Sequence, residues 1–212
     1  MGSRGNLNWN TKEVREIRRG LNFSDIQKSV LIGTILGDGC FTENFGKKHY
    51  RLQIEQGNNR KEYVFWFYGI FKNWILSPPK YLRERRSWRF KTISHPEITE
   101  FHEKFYRNRR KIIPPDIGKL LFHPISLAVW FMDDGAGRSD CRSYTFSTHS
   151  FSEQDNKLLV SVLEKNFGVK SVIHWDGKGY RIYIPAKESE KFENIILPYI
   201  LPSMKYKFPL TP

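Results

Sequence analysis

The sequence predicts an α+β protein of two pseudo-symmetric halves, each with the order helix, two strands, helix, two strands, helix (αββαββα). Two nearly all-apolar segments end on the same dipeptide: Val30 to Leu36 runs into Asp38-Gly39, and Ile125 to Met132 into Asp134-Gly135, 96 positions later. Both copies continue in parallel, into a strand-like stretch and then a helical one. Neither apolar helix has a polar face, so each must be buried against something, and the other copy is the economical partner. The expected organisation is an N-terminal extension (1–23), a first half (24–120) and a second half (121–212).

Ser24-Asp25-Ile26-Gln27 has the form of a capping box and opens a helix expected over 25–38, with Gly39 expected in the left-handed conformation that stops it. Gly33 and Gly37, four apart, lie on one helix face and leave a shallow strip for a second backbone. In the second half Pro124 suits a first helical turn. Tyr50 to Glu55 and Tyr144 to His149 read as strands, followed by helices at about 60–76 and 152–167. Further strands are expected at about 80–94 and 170–185, the latter turning at Asp176-Gly177-Lys178-Gly179, and closing helices at about 96–107 and 187–196. Met1–Gly5 has the look of an expression remnant and is given no fold meaning.

With 35 Lys and Arg against 22 Asp and Glu, the formal charge is +13 and the pI about 9.7, which points to a polyanionic partner. A 39% hydrophobic and 15% aromatic composition fills a real core, so disorder is excluded as the main state. Cys40 and Cys141 stand alone, which excludes a disulfide scaffold or a cysteine zinc site. No segment has the length of a membrane span and no signal-peptide core is present, so the chain reads as soluble and intracellular. Residues 1–120 hold 24 basic and 12 acidic side chains, residues 121–212 hold 11 and 10. The first half is thus expected to grip phosphates and the second to rely on aromatic and neutral contacts.

Two carboxylates at helix C-termini oppose both the helix dipole and each other, and a cation between them relieves both conflicts. Oxygen ligands without a Cys or His cluster favour Mg2+, with Mn2+ as a substitute. Such a centre suits phosphodiester hydrolysis, and the charge places that phosphodiester in nucleic acid. A single Asp-Gly after an apolar helix is usually only a helix stop; two in matched context are not so easily dismissed.

Leu31 to Gly39 (LIGTILGDG) and Leu127 to Gly135 (LAVWFMDDG) resemble the paired motifs of the LAGLIDADG homing endonucleases, in the single-chain form. The flanking phrases WILSPP (74–79) and LPSMKYKF (201–208) resemble members encoded in yeast mitochondrial introns. The resemblance implies two αββαββα halves joined through the motif helices, with antiparallel sheets forming a saddle on double-stranded DNA. It also implies a monomer, with no membrane and no obligate protein partner, that cuts both strands of a long asymmetric site with Mg2+ and leaves 3′ overhangs. Position by position it makes Asp38 and Asp134 the metal-binding carboxylates and lends the backbone carbonyls of Gly37 and Asp133 to metal. Lys111 and Lys207 become active-site lysines and Gln53 a water-orienting residue, with Ser147 as its counterpart. Two departures stand out. Val129 replaces a close-packing glycine, which suggests a looser helix approach with Trp130 and Phe131 filling from the sides, and the Asp133 side chain is either a third carboxylate near the metals or, the preferred reading, a solvent-facing acid.

For DNA contact, strand alternation pairs Arg51 with Gln53, Arg83 with Arg85, Arg89 with Lys91, Tyr144 with Phe146 and Arg181 with Tyr183. Lys80, Arg86, Trp88, Arg138, Arg142, Lys178 and Tyr180 complete the candidates. An RNA maturase, or a DNA-binding regulator that does not cut, is the alternative on the same fold.

Overall fold

The computed structural model describes residues 11–44, 46 and 48–209; Met1–Gly5, the rest of the first ten residues and the last three lie outside the described residues. A short helix, α1 (Lys12–Arg19), precedes the first repeat. The first repeat then runs α2 (Asp25–Leu36), β1 (Cys40–Glu43), β2 (Tyr50–Gly57), α3 (Lys61–Ile70), β3 (Lys80–Leu82), β4 (Ser87–Lys91) and α4 (Pro96–Phe105). Between the repeats lie β5 (Tyr106–Arg107), β6 (Arg110–Lys111) and α5 (Ile117–Leu120). The second repeat is α6 (Pro124–Asp134), β7 (Gly135–Gly137), β8 (Tyr144–Phe146), α7 (Glu153–Phe167), β9 (Val172–Trp175), β10 (Tyr180–Ile184) and α8 (Ala186–Ile196). Each repeat forms an antiparallel four-stranded sheet, ordered β1-β2-β4-β3 and β7-β8-β10-β9. The αββαββα order is therefore present twice.

The chain divides into two compact units: residues up to Gln27 with Gly39–Glu103, and Lys28–Asp38 with Lys104 onward. In the first unit, Leu52, Ile54 and Phe90 on one face of the sheet and Tyr63, Val64 and Phe67 on α3 are all buried. Phe23 stacks on Trp74 at 3.8 Å. The expected capping box is closed in both directions: Gln27 N donates to Ser24 Oγ at 3.2 Å, and Ser24 N donates to Gln27 Oε1 at 3.1 Å.

The second unit is organised by α6, whose residues Ile125 to Asp133 are all buried, and by the α2 segment, buried from Ser29 to Gly37. Two helices apolar all round have a single solution, burial on every side. Phe131, Tyr144, Phe192 and Phe208 form a ring cluster built mostly of edge-to-face contacts, and the Trp130 ring lies 4.2 Å from that of Phe146.

Several sequence expectations shift. The helix expected over 25–38 stops at Leu36, and Gly39 has no positive φ; the chain turns through 37–39 into β1. The helix expected at 60–76 is α3 flanked by 3-10 turns at 58–60 and 72–74. The helix expected to reach 107 stops at Phe105, because 106–111 form a two-residue hairpin with Asn108 at φ 49° and Arg109 at φ 65°. Positive φ at both central positions is the geometry whose twist matches the flanking strands. The looser helix approach expected from Val129 is absent. A Cβ on Gly33 would sit 2.7 Å from Val129 Cβ and would also meet the Ser126 carbonyl oxygen, so one glycine makes all the room that Val129 needs. Trp130 and Phe131 pack on the aromatic cluster, not into a gap.

Candidate active site

The second unit gathers most of the expected catalytic residues at the C-terminal ends of α2 and α6. Those ends leave carbonyls without helical partners, and they carry partial negative charge. Lys111 Nζ, at the end of the tight hairpin, donates to Gly37 O at 2.5 Å. Lys207 Nζ, only 8% exposed as a residue, donates to Asp133 O at 2.9 Å, Gly135 O at 2.8 Å and Phe131 O at 3.4 Å. Gly37 and Asp133, Asp38 and Asp134, and Lys111 and Lys207 are each 96 positions apart. The same three-part set thus occurs twice: a carbonyl holding an ammonium, and the carboxylate that follows it in the chain. Asp38 is exposed and Asp134 half-buried.

Asp133 corrects the expectation of a solvent-facing acid. It is 5% exposed, and its Oδ2 accepts from Thr34 Oγ1 at 2.9 Å and from Asp38 N at 3.2 Å. Its side chain fills the space beside Gly37, where a Cβ would lie 2.7 Å from Oδ2. The carboxylate therefore reaches across from α6 and ties down the last turn of α2 and the N–H that follows it, a role Gly37 cannot return.

The donor set fits a hard divalent cation. Its oxygens are two carboxylates and two carbonyls that already attract ammonium groups, with no sulfur or imidazole among them. Among the described residues no group of three or more His, Cys, Asp or Glu is assembled for a metal. An ion there takes its other ligands from carbonyl, water or phosphate oxygens, as magnesium commonly does.

Gln53 lies in the first unit, where its Nε2 is 3.9 Å from Cys40 Sγ. Strand register changes its counterpart. Gln53 pairs with Cys40, two residues beyond Asp38, whereas Ala136, two beyond Asp134, pairs with Thr145 rather than Ser147. Ser147 uses its backbone instead, donating N–H to Asp134 O at 3.0 Å.

The open face of the first sheet is basic. Arg51, Gln53 and Glu55 of β2 share it with Arg89 and Lys91 of β4 and Lys80 of β3, as the cross-strand pairs Gln53–Lys91, Glu55–Arg89 and Lys80–Arg89 require. Burial, then the Arg51 and Arg89 charges, depresses the Lys91 pKa, and burial depresses that of Arg51. Crowded like charges of this kind attract an anion. Arg83, Arg85 and Arg86 lie in the turn from 83 to 86, where strand alternation does not apply, and Arg86 has φ 48°. Trp88 is corrected: paired with Gln56, it lies on the opposite face, with its Nε1 on Asn58 Oδ1 and its ring against Phe65 and under Lys61 Nζ.

In the second sheet the open face is nearly neutral. It carries Thr145, Tyr183 stacked on His174 at 5.0 Å, Val172, and Arg181, which pairs with Asp176 at 2.6 Å. Tyr144 is corrected, being fully buried in the aromatic cluster with its hydroxyl on Glu193. Tyr180 is corrected too, since it alternates with Arg181 and donates to Glu153. Lys178 stays in an exposed turn. Arg138 and Arg142 are exposed but forked onto Asp140 and Glu193.

Residues 28–192 match the model of the LAGLIDADG DNA endonuclease family. The chain belongs to this family. It is 33% identical to a probable intron-encoded endonuclease 1 of Wickerhamomyces canadensis over 93% of this chain and 90% of that one. It is 28% identical to a cytochrome b mRNA maturase bI2 of Debaryomyces hansenii over 84% and 71%. A solved structure of the homing endonuclease I-WcaI bound to its DNA recognition sequence superposes with a TM-score of 0.88 at 30% identity, covering 100% of this chain and 99% of that chain.

Sequence reasoning missed three residues of this LAGLIDADG chain: Thr34 and the Asp133 side chain, which link α2 to α6, and Glu55, the acid on the basic face. Thr34 had a signal, a hydroxyl in an otherwise apolar motif helix. Glu55 had one too, two positions beyond Gln53 on the same strand.

Proposed function

We propose that the chain makes a site-specific double-strand break in a long asymmetric DNA target by hydrolysis, leaving 3′ overhangs, and that it acts as a monomer. The observation that carries the reading is the duplicated set of carbonyl, carboxylate and lysine, one set for each strand. Asp38 and Asp134, with the carbonyls of Gly37 and Asp133, are the groups that would hold Mg2+, or Mn2+ in its place. When bound, such a cation activates water and offsets charge at the reacting phosphate. Lys111 and Lys207 place point charges beside that phosphate, where preorganised cations stabilise developing negative charge. Gln53 orients water through its amide in one half, and the shorter Thr145 occupies the matching position in the other. Basic residues at the margin of the first sheet, Lys80 and Arg83 among them, hold phosphates while Arg51 and Arg89 read guanine edges, and the second face contributes Tyr183, His174 and Arg181.

Asp38→Asn and Asp134→Asn are expected to abolish double-strand cleavage of a target selected from a randomised duplex library, with DNA affinity largely kept. Equal loss of cleavage and affinity removes the catalytic assignment. The maturase named among the relatives keeps RNA splicing as a second reading, which an intron-splicing assay on both variants separates from cutting.

A further inference from the structure

Glu55 is an anomaly on a surface otherwise built for polyanions. It sits mid-strand in β2, directly opposite Arg89, with its carboxylate 3.7 Å from Arg89 Nη1 and 3.6 Å from Arg85 Nη1. Its Oε1 accepts from Ser87 Oγ at 2.8 Å, which fixes the side chain. Only 18% of the side chain is exposed, against 32% for Arg89 and 68% for Arg85. At these separations the arginines are attracted and oriented without their N–H groups being consumed.

A phosphate oxygen brought to this point meets a carboxylate, and the repulsion offsets the pull of Arg51, Arg89 and Lys91. A base edge is different. The amino groups of cytosine and adenine donate to a carboxylate in the major groove, while an arginine beside it forks onto guanine. The arrangement excludes the sequence-independent part of DNA at the centre of the sheet and admits base edges.

We infer that Glu55 sets base specificity in the half-site read by the first sheet, holding Arg89 and Arg85 for base edges and refusing phosphates there. The inference rests on the DNA-cleaving reading above. It makes Glu55 a negative element in a positive surface, which discriminates by penalising wrong partners.

The test uses the full chain, without divalent metal, on a duplex library randomised across the target and on sheared genomic duplex as a non-specific probe. Glu55→Gln keeps the volume and a Ser87 acceptor but removes the charge. It is expected to raise affinity for the non-specific duplex and to cut discrimination by about tenfold at one or two adjacent base pairs, the size of one bidentate contact. Arg89→Lys, which keeps charge and loses the fork, is expected to lose preference at the same base pairs with Glu55 intact. A uniform change along the whole site, or an unchanged preference profile in Glu55→Gln with a wild-type melting temperature, overturns the inference. Absence of any wild-type binding to either duplex would instead overturn the DNA reading on which it rests.

Discussion

Gly33→Ala measures how closely the two motif helices approach. In an ordinary helix this change stabilises by about 1 kcal/mol, because alanine is the better helix former. Here the added methyl would lie 2.7 Å from Val129 Cβ and 3.0 Å from Val129 Cγ1, and would also overlap the Ser126 carbonyl oxygen. Carbon atoms pack at roughly 3.5–4.0 Å, so the helices must part by about 1 Å. Over-packing typically costs about 1–3 kcal/mol, and a backbone carbonyl cannot rotate aside, which puts the cost near the upper end. The net expectation is a loss of about 2 kcal/mol, or roughly 4–8 °C in melting temperature for a chain of this size. Gly69→Ala is the internal control: it lies in α3, and its added methyl meets nothing within 4 Å. It is expected to stabilise by about 0.5–1 kcal/mol. Urea denaturation of both variants beside the wild type decides the matter. A Gly33→Ala protein as stable as Gly69→Ala would refute the close approach.

Arg109→Gly relieves a left-handed residue in the β5–β6 turn and is expected to gain about 0.5–1 kcal/mol in denaturant melts; a loss would show that the Arg109 side chain has a compensating contact. Asp133→Ala strips the acceptor from Thr34 Oγ1 and Asp38 N and is expected to cost about 2–4 kcal/mol, with Asp133→Asn costing less because one oxygen still accepts. Equal stability of the two variants counts against these two hydrogen bonds. Burial, first of all, holds His49, His95 and His102 below the usual imidazole pKa, with Lys48 and Arg18 adding to it at His49. The unfolded chain takes up protons near its unperturbed pKa before the folded chain does, so the contribution is whole above about pH 6.5 and is lost as pH falls through the folded values. Melts at pH 7.5 and 5.5 check this, and His95→Gln is expected to lose less melting temperature between the two than the wild type does.

The repeat, the capping box at Ser24 and the glycine strip were legible because each is a local pattern. The features that were not legible depended on non-local events. The Lys111 hairpin was hidden because its turn uses Asn108-Arg109, and arginine does not advertise a positive φ as glycine would. The inward turn of Asp133 required knowing that Gly37 lies against it. Trp88 and Tyr180 joined the DNA candidates although they alternate with Arg89 and Arg181, because alternation alone does not say which parity is buried. Arg51, Arg89 and Arg181 followed the same rule and came out on open faces, since each shares parity with neighbours that the core does not claim. The offset of 96 positions found the carboxylates and the family resemblance pointed to the lysines, yet a first hairpin in the second half that is four residues shorter moved the partner of Gln53 from Ser147 to Thr145.

The grouping of the Lys28–Asp38 segment with α6 has a consequence for synthesis. During translation the first motif helix emerges with its apolar stretch from Val30 to Leu36 uncovered, and its partner arrives only after nearly a hundred further residues. At roughly 5–20 residues per second it waits about 5–20 s before the surface it must cover exists. The chain therefore carries a largely apolar helix early and its cover late, and the yield of active protein is expected to depend on translation speed and on chaperones that shield that helix in the interval.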